Sequence, residues 1–462
     1  MRDRAVTILL LACLALASCH RTGVVAAPRA SGPVLWVWSG AVTPTSAVVT
    51  ARLGPGSGRA VLRFHPTADP AALHVLRPDD PAASIGPRLP DVVTFRLRGL
   101  EPGTDYRYVV ESETGGGRSG HLRTVVDGPM PFRIGFASCA TTGSNHRIFD
   151  TLRELDLDLF IHMGDFHYED ITENDPARFL EAYDRVLTSP RQGAFYRSTP
   201  IAYVWDDHDY GSNDSDRTSP SRPAALSTYR QCVPHYPLVN EDGAVRTIQQ
   251  AFTIGRVRFL MTDPRAARDP EGQTDGPRKS MLGDAQRTWL IDALRAARDD
   301  AGIALVVWVN GVPWITRDAP GSEHGWEPYS HERTVIADSI RSLGLADRLV
   351  MLSGDAHMVA IDDGTHSNDA SDRAPGEPAF PVVQAAPLDR YPRVKGGPYS
   401  LGRHAPHRWF PLAKARQFGL MEVEDDSETL RVTLSCRDSA GHVVEDLVLR
   451  VACTAAGCRI AR

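Results

Sequence analysis

Two apolar runs, Phe132–Ala137 and Leu157–Met163, bracket a stretch with helical spacing in which Ile148, Leu152 and Leu155 share one face. Strand, helix, strand in that order is a βαβ unit, and it commits this part of the chain to strands in a sheet with helices packed against it. Further strand-like runs follow at Ile201–Trp205, Ala304–Val309 and Leu349–Ser353. A hairpin is expected at Phe252–Thr262 and a helix at Ser280–Ala297, and antiparallel alternation returns over Gly419–Val451. The expected class is a layered α/β domain whose sheets carry both strand directions.

The chain before this unit has a different grammar. Residues 33–126 hold short alternating runs between Gly and Pro turns, as an all-β domain does. Leu100-Glu-Pro-Gly-Thr-Asp-Tyr106-Arg-Tyr108 resembles the tyrosine-corner region of fibronectin type III sandwiches. We read this region as a packing domain that shields one side of its neighbour. Residues 1–19 have the form of a secretory signal: Arg2 and Arg4, then an apolar stretch, then Leu16-Ala17-Ser18-Cys19. That ending resembles a bacterial lipobox and makes Cys19 the expected lipidation site, with residues 20–32 as a linker. Export to the bacterial cell envelope, or to the periplasm or exterior, is expected. A membrane attachment would depend on that lipid alone. The catalytic domain is expected over 131–451 and a tail over 452–462. Export also admits disulfides among Cys436, Cys453 and Cys458. Proximity favours Cys453 with Cys458, but spacing leaves the connectivity open. A net charge of −6 supplies no basic field for a stable nucleic-acid partner.

Four of the strand-like runs end in residues that can bind metal: Phe136-Ala-Ser-Cys139, Gly164-Asp165-x-x-Tyr168, Trp205-Asp206-Asp207-His208-Asp209 with Asn213 beyond, and Gly354-Asp355-Ala356-His357. Ligands of open α/β sheets gather outside the carboxyl ends of the strands, so residues far apart in sequence can meet there. Carboxylates and imidazoles suit divalent or ferric ions, and one bridging carboxylate with separate terminal ligands makes a two-metal site. Which of Asp206, Asp207 and Asn213 reaches a metal stays open at this point.

These motifs, with Asp263-Pro-Arg265, Met281-Leu-Gly-Asp-Ala-Gln286-x-x-Trp289 and Trp326-x-x-Tyr329-x-x-x-Arg333, resemble the PhoD-type alkaline phosphatase and phosphodiesterase family of the metallophosphatase superfamily. The resemblance spans about residues 33–450. It implies a four-layer αββα catalytic sandwich behind the small β domain, and a two- or three-metal cluster of ferric iron and calcium, with room for another divalent metal. Asp165 would bridge, Cys139 and Tyr168 would bind iron, Asp207, Asn213, Asp355 and His357 would complete the set, and His208 would contact phosphate and act in catalysis. The substrate implied is a phosphate mono- or diester, attacked by hydroxide that the metals activate. Arg265 is expected as a phosphate clamp, because guanidinium suits oxyanions. Purple acid phosphatases share Gly-Asp-x-x-Tyr, but Val309-Asn310-Gly-Val lacks their His, and Gly-Asp-Ala-His stands where they carry Gly-His-x-His. The alternatives are a narrower phospholipid or nucleotide phosphodiesterase, or a catalytically degenerate surface-binding protein.

Overall fold

A computed structural model describes residues 32–78, 89–239, 247–316, 324–374, 377–405 and 416–461. The expected signal, Cys19 and all but the last residue of the expected linker lie outside the described residues.

Two large sheets face each other. The ten-stranded sheet runs, in spatial order, Gly457–Ala461, Val443–Thr454, Leu430–Asp438, Gln417–Asp425, Phe132–Ala137, Leu159–Met163, Ile201–Val204, Val34–Gly40, Ser46–Leu53 and Val92–Arg98. The seven-stranded sheet runs Gln250–Ile254, Val257–Met261, Leu305–Asn310, Leu349–Ser353, Val382–Ala385, Val359–Asp362 and Gly402–His404. Parallel pairs occupy the middle of both sheets, and antiparallel pairs flank them. The segment expected as a tail instead forms the edge strand Gly457–Ala461, and a disulfide joins Cys453 to Cys458 across it. The run Ala452–Arg459 continues the apolar alternation of the preceding strand, which is why it pairs.

Strand periodicity explains the layers. In the seven-stranded sheet Val257, Phe259, Leu305, Val307 and Val309 point into the core shared with the ten-stranded sheet, and Phe132 meets Phe259 across it at 6.5 Å. The alternate residues Leu260, Val306 and Trp308 point outward to Leu290, Leu294, Ile336 and Ile340 of helices Asp284–Asp299 and Ser330–Ser342. Helices Ile148–Glu154, Pro176–Leu187, Gln192–Ser198 and Arg222–Cys232 cover the other sheet. Pro176–Leu187 starts cleanly because Pro176 sits in its first turn and the Asp175 carboxylate accepts from the Ala177 N–H at 2.9 Å. The result is an αββα sandwich.

The small β domain is also a sandwich. His74–Leu76, Ala60–Pro66, Asp105–Ser112 and Gly117–Arg123 form one sheet, and its partner is the last three strands of the ten-stranded sheet. Tyr106 Oη accepts the Glu101 N–H at 2.8 Å, the tyrosine corner the sequence led us to expect. The domain is fused to its neighbour, since Gly40 pairs in parallel with Ile201. A Cβ at Gly40 would lie 2.4 Å from the Ile201 carbonyl oxygen, so only glycine permits the junction. Trp36 Nε1 donates to Asp184 at 2.7 Å, and Trp38 Nε1 donates to the Cys232 carbonyl at 2.8 Å. Trp38 also packs on Phe166, Tyr183 and Tyr196.

Candidate metal centre

The strands Phe132–Ala137, Leu159–Met163, Ile201–Val204 and Leu349–Ser353 deliver Cys139, Asp165, Asp207 and Asp355 to one point between the sheets. Glycines let the strand ends come this close. A Cβ on Gly354 would stand 2.6 Å from the Gly311 carbonyl oxygen and 2.8 Å from that of Met163. Gly164 has φ +98, and a Cβ there would meet Asp206 at 2.4 Å.

One ligand atom from each of Cys139, Asp165, Asp355 and His357 lies within 4.8 Å of all the others, and all four residues are buried. All four also have left-handed backbones, with φ of 63, 57, 58 and 55 respectively. Such a conformation costs a non-glycine residue of order 1 kcal/mol and persists only where surrounding structure imposes it. Here the surroundings do: Cys139 N–H donates to the Gly164 carbonyl at 3.1 Å, Ala140 N–H to that of Asp165 at 2.9 Å, and Asp355 N–H to Ser138 Oγ at 3.0 Å. The strain turns each side chain off its strand and toward the others.

The protonation states follow from the partners. His357 Nδ1 faces the Tyr391 carbonyl at 2.6 Å and must carry its proton, which leaves the Nε2 lone pair free for the cluster. Tyr168 Oη donates to Asp165 Oδ2 at 2.5 Å and lies 3.4 Å from His357 Nε2, so the phenol adjoins the same set. Asp165 belongs to a second group as well, with Asp207 and His208. Burial pushes the Asp165 carboxyl up to about 8; His208 opposes this, and Asp207, Asp209 and Asp355 add to it. Burial likewise drives the Cys139 thiol and the Tyr168 phenol well above their ordinary range. Asp207 Oδ1 is buried with no hydrogen-bond partner. Acidic donors crowded this closely can ionise together only if cations neutralise them. The set of carboxylate, imidazole, thiol and phenol fits a metal centre with mixed hard and soft ligands.

His208 lies at the rim. Its Nδ1 is 2.5 Å from Asp170 Oδ1, and its ring packs on Tyr168 with centroids 4.2 Å apart. Burial alone would lower its pKa, but Asp165, then Asp170, push it up to about 10. The imidazole is therefore held as a cation.

The structure separates the residues that the sequence left together. Asp207 joins the cluster, whereas Asp206 caps the short helix Asp207–Tyr210 and pairs with Arg265 Nε at 2.5 Å. Arg265 is completely buried, so it cannot serve as the phosphate clamp expected from its chemistry. It faces the backs of Asp206 and Asp207 instead, at 3.7 Å from the latter, and holds the Asp207 carboxyl below the ordinary carboxylate range despite burial. Asn213 is exposed, with its amide on Asp214, and the Asp214 N–H meets Asp207 Oδ2 at 2.7 Å. His167 points away into Phe179 and Tyr183. Three residues beside the centre escaped the sequence reading. Asp170 closes the same loop as Tyr168, and its position two residues on was a usable signal. Arg390, whose guanidinium stacks 3.7 Å from the centroid of Tyr168, and Lys395, 2.8 Å from Asp355 Oδ1, come from an irregular segment with no motif to flag them.

Residues 134–434 match the family model for PhoD-like phosphatases. A solved structure of PhoD superposes over 94% of this chain and 94% of its own, with a TM-score of 0.67 and 16% identity. A purple acid phosphatase from yellow lupin (Lupinus luteus) seeds superposes over 88% of this chain and 72% of its own, with a TM-score of 0.58 and 14% identity. No curated protein matches the sequence. At these identities the two structures speak to the fold, which they share.

Proposed function

The chain belongs to the PhoD-like phosphatase family, and from that premise we propose that it is an exported, metal-dependent hydrolase of phosphate mono- or diesters. The observation that carries this is the pair of donor groups sharing Asp165: Cys139, Asp165, Asp355 and His357 on one side, Asp165 with Asp207 on the other, and His208 standing beside the second as a cation rather than a ligand. Asp165 is the bridge between them. Tyr168 and Cys139 favour ferric iron in the first group, because calcium alone has no use for phenolate and thiolate, and calcium or another divalent ion suits the second. Cations held there would neutralise the phosphate oxygens and acidify a water enough to supply a nucleophile near neutral pH.

The protein's own part is placement and proton delivery. His357 keeps Nε2 aimed at the cluster because Nδ1 is tied to the Tyr391 carbonyl. Asp170 fixes Nδ1 of His208, so the free ring nitrogen can hand a proton to the departing alkoxide at the rim. Arg265 steadies Asp206 and Asp207 from behind. The signal-like start and the lipobox-like Leu16-Ala17-Ser18-Cys19 support a place at the cell envelope, in the periplasm or outside the cell.

One preparation tests the reading. Elemental analysis of protein purified without added ions, followed by hydrolysis of a diester and a monoester with and without chelator, should give bound iron and calcium and chelator-sensitive turnover. A metal-free protein with no turnover after reloading would leave a binding protein built on this fold.

A further inference from the structure

Tyr329 belongs to a motif that the metal centre does not use, and two cations converge on its buried ring. The guanidinium carbon of Arg268 stands 5.0 Å from the ring centroid, and Lys279 Nζ stands 4.5 Å from it. Arg268 is 1% exposed and Lys279 3%. Arg268 commits one donor within the protein: its Nε–H donates to Tyr329 Oη at 2.8 Å, and that hydroxyl donates to the Asp269 carbonyl at 2.7 Å. Nη1 and Nη2 are buried with no hydrogen-bond partner. Lys279 Nζ donates to a neutral acceptor, the Glu271 carbonyl, at 2.6 Å. The carboxylates nearby are taken by other groups. Asp269 accepts from Arg217 Nε at 2.7 Å and from the Ser280 N–H at 2.9 Å. Asp275 accepts from Ser330 Oγ at 2.6 Å and from the His331 N–H at 3.1 Å. Burying a guanidinium is unfavourable unless its donors meet acceptors, so a fork left open in the interior marks a place for one.

The backbone fixes where that fork lies. The Asp269 N–H donates to the Ser280 carbonyl at 2.8 Å and closes the loop 269–280 at its neck, with Arg268 and Lys279 next to the two closing residues. The Arg268 N–H donates to the Arg265 carbonyl at 3.1 Å, and the Arg217 N–H donates to the Arg268 carbonyl at 3.0 Å. Residues 271–275 of the loop are exposed.

We propose that Arg268 anchors a binding site for a small inorganic oxyanion, phosphate or sulfate, at the neck of this loop. Nη1 and Nη2 form the flat fork that takes two oxygens of one anion, and Lys279 adds a second positive charge beside it. The bound anion gives the two cations a counter-charge and ties the neck shut. This site goes beyond the phosphoesterase reading and does not depend on ester hydrolysis.

The test reads the loop itself. Full-length protein as purified is followed by hydrogen exchange in peptides covering 267–282, first in chloride and then with phosphate or sulfate at matched ionic strength. The Asp269 and Ser280 amides should exchange about tenfold more slowly once the anion reaches about ten times its dissociation constant. Chelator-treated protein should show the same slowing, because the acidic metal centre repels anions when its cations are gone. Arg268→Gln should abolish the slowing, and Lys279→Met should move its midpoint about tenfold higher in anion concentration. No slowing of the wild type by either oxyanion would overturn the proposal and leave ordered water as the partner of Arg268, a result that holds even if neither variant folds. Unchanged slowing in either folded variant, or slowing that disappears with chelator, would overturn it too by assigning the anion to another place.

Discussion

Two buried carboxylate sites in this molecule are built in opposite ways. Glu332, on helix Ser330–Ser342, accepts from Ser280 Oγ at 2.6 Å, from the Met281 and Leu282 N–H groups at 2.5 and 3.2 Å, and from Arg287 at 3.2 Å. Every oxygen has donors, so the carboxylate serves as a clasp for the loop before helix Asp284–Asp299. Asp165 instead meets a phenol, one long N–H contact from His208 at 3.4 Å, and a ring of other acids. The first site is complete within the protein. The second is short of positive charge, and that shortage separates a ligand from a structural carboxylate more surely than burial does.

Asp165→Asn should separate the two sites most sharply. It removes the shared ligand and should cut chelator-sensitive ester hydrolysis at least about a thousandfold while leaving the metal-free fold as stable as the wild type. Turnover near wild type in that variant would end the argument for a bridging carboxylate. Glu332→Ala should do the reverse. Its orphaned donors should lower stability by about 3 kcal/mol, read as a shift in urea midpoint, with turnover per folded molecule unchanged. His208→Gln should slow hydrolysis by about a hundredfold, more for poor leaving groups than for good ones, as loss of a proton donor requires. An equal loss for both kinds would assign His208 to charge alone.

The smallest effect concerns the floor beneath the centre. His162 is enclosed by Phe160, Phe166, Tyr196 and Tyr203, neither ring nitrogen has a hydrogen-bond partner, and burial lowers its pKa to about 3. In the unfolded chain it titrates near its ordinary 6.5, so below that pH the unfolded state binds the extra proton. Its contribution is therefore complete above pH 6.5 and is lost as pH falls toward 3, at up to about 1.4 kcal/mol per pH unit. His162→Phe should flatten the decline of the unfolding midpoint between pH 6 and 4 by that amount. An unchanged slope would place the acid sensitivity in other histidines.

The centre was legible where chemistry sits at the end of a regular element. A strand followed by Gly-Asp or Ser-Cys announces both its direction and its cargo, so the sequence alone marks Cys139, Asp165, Asp207, Asp355 and His357. Arg265 was misjudged because sequence reports a guanidinium but not the side of the carboxylates on which it lies. Lys395 and Arg390 were invisible for a different reason: their loop has no period, and only the hydrogen bonds to the His357 and Ile315 carbonyls settle where it runs. In the fold, strand alternation revealed both domains but not their fusion. A strand pairing that spans residues 40 and 201 is non-local, and no motif records it.

That fusion bears on how such a protein can be cut or inherited. Trp38 lies in the small β domain, yet it packs against Phe166, the residue that follows Asp165. Removing the residues before 127 would bare the edge of Ile201–Val204 to chance pairing with other chains and open a hole beneath Asp165. The small sandwich is therefore a poor part to shuffle: a lineage that lost it would have to rebuild the foundation of its candidate metal centre.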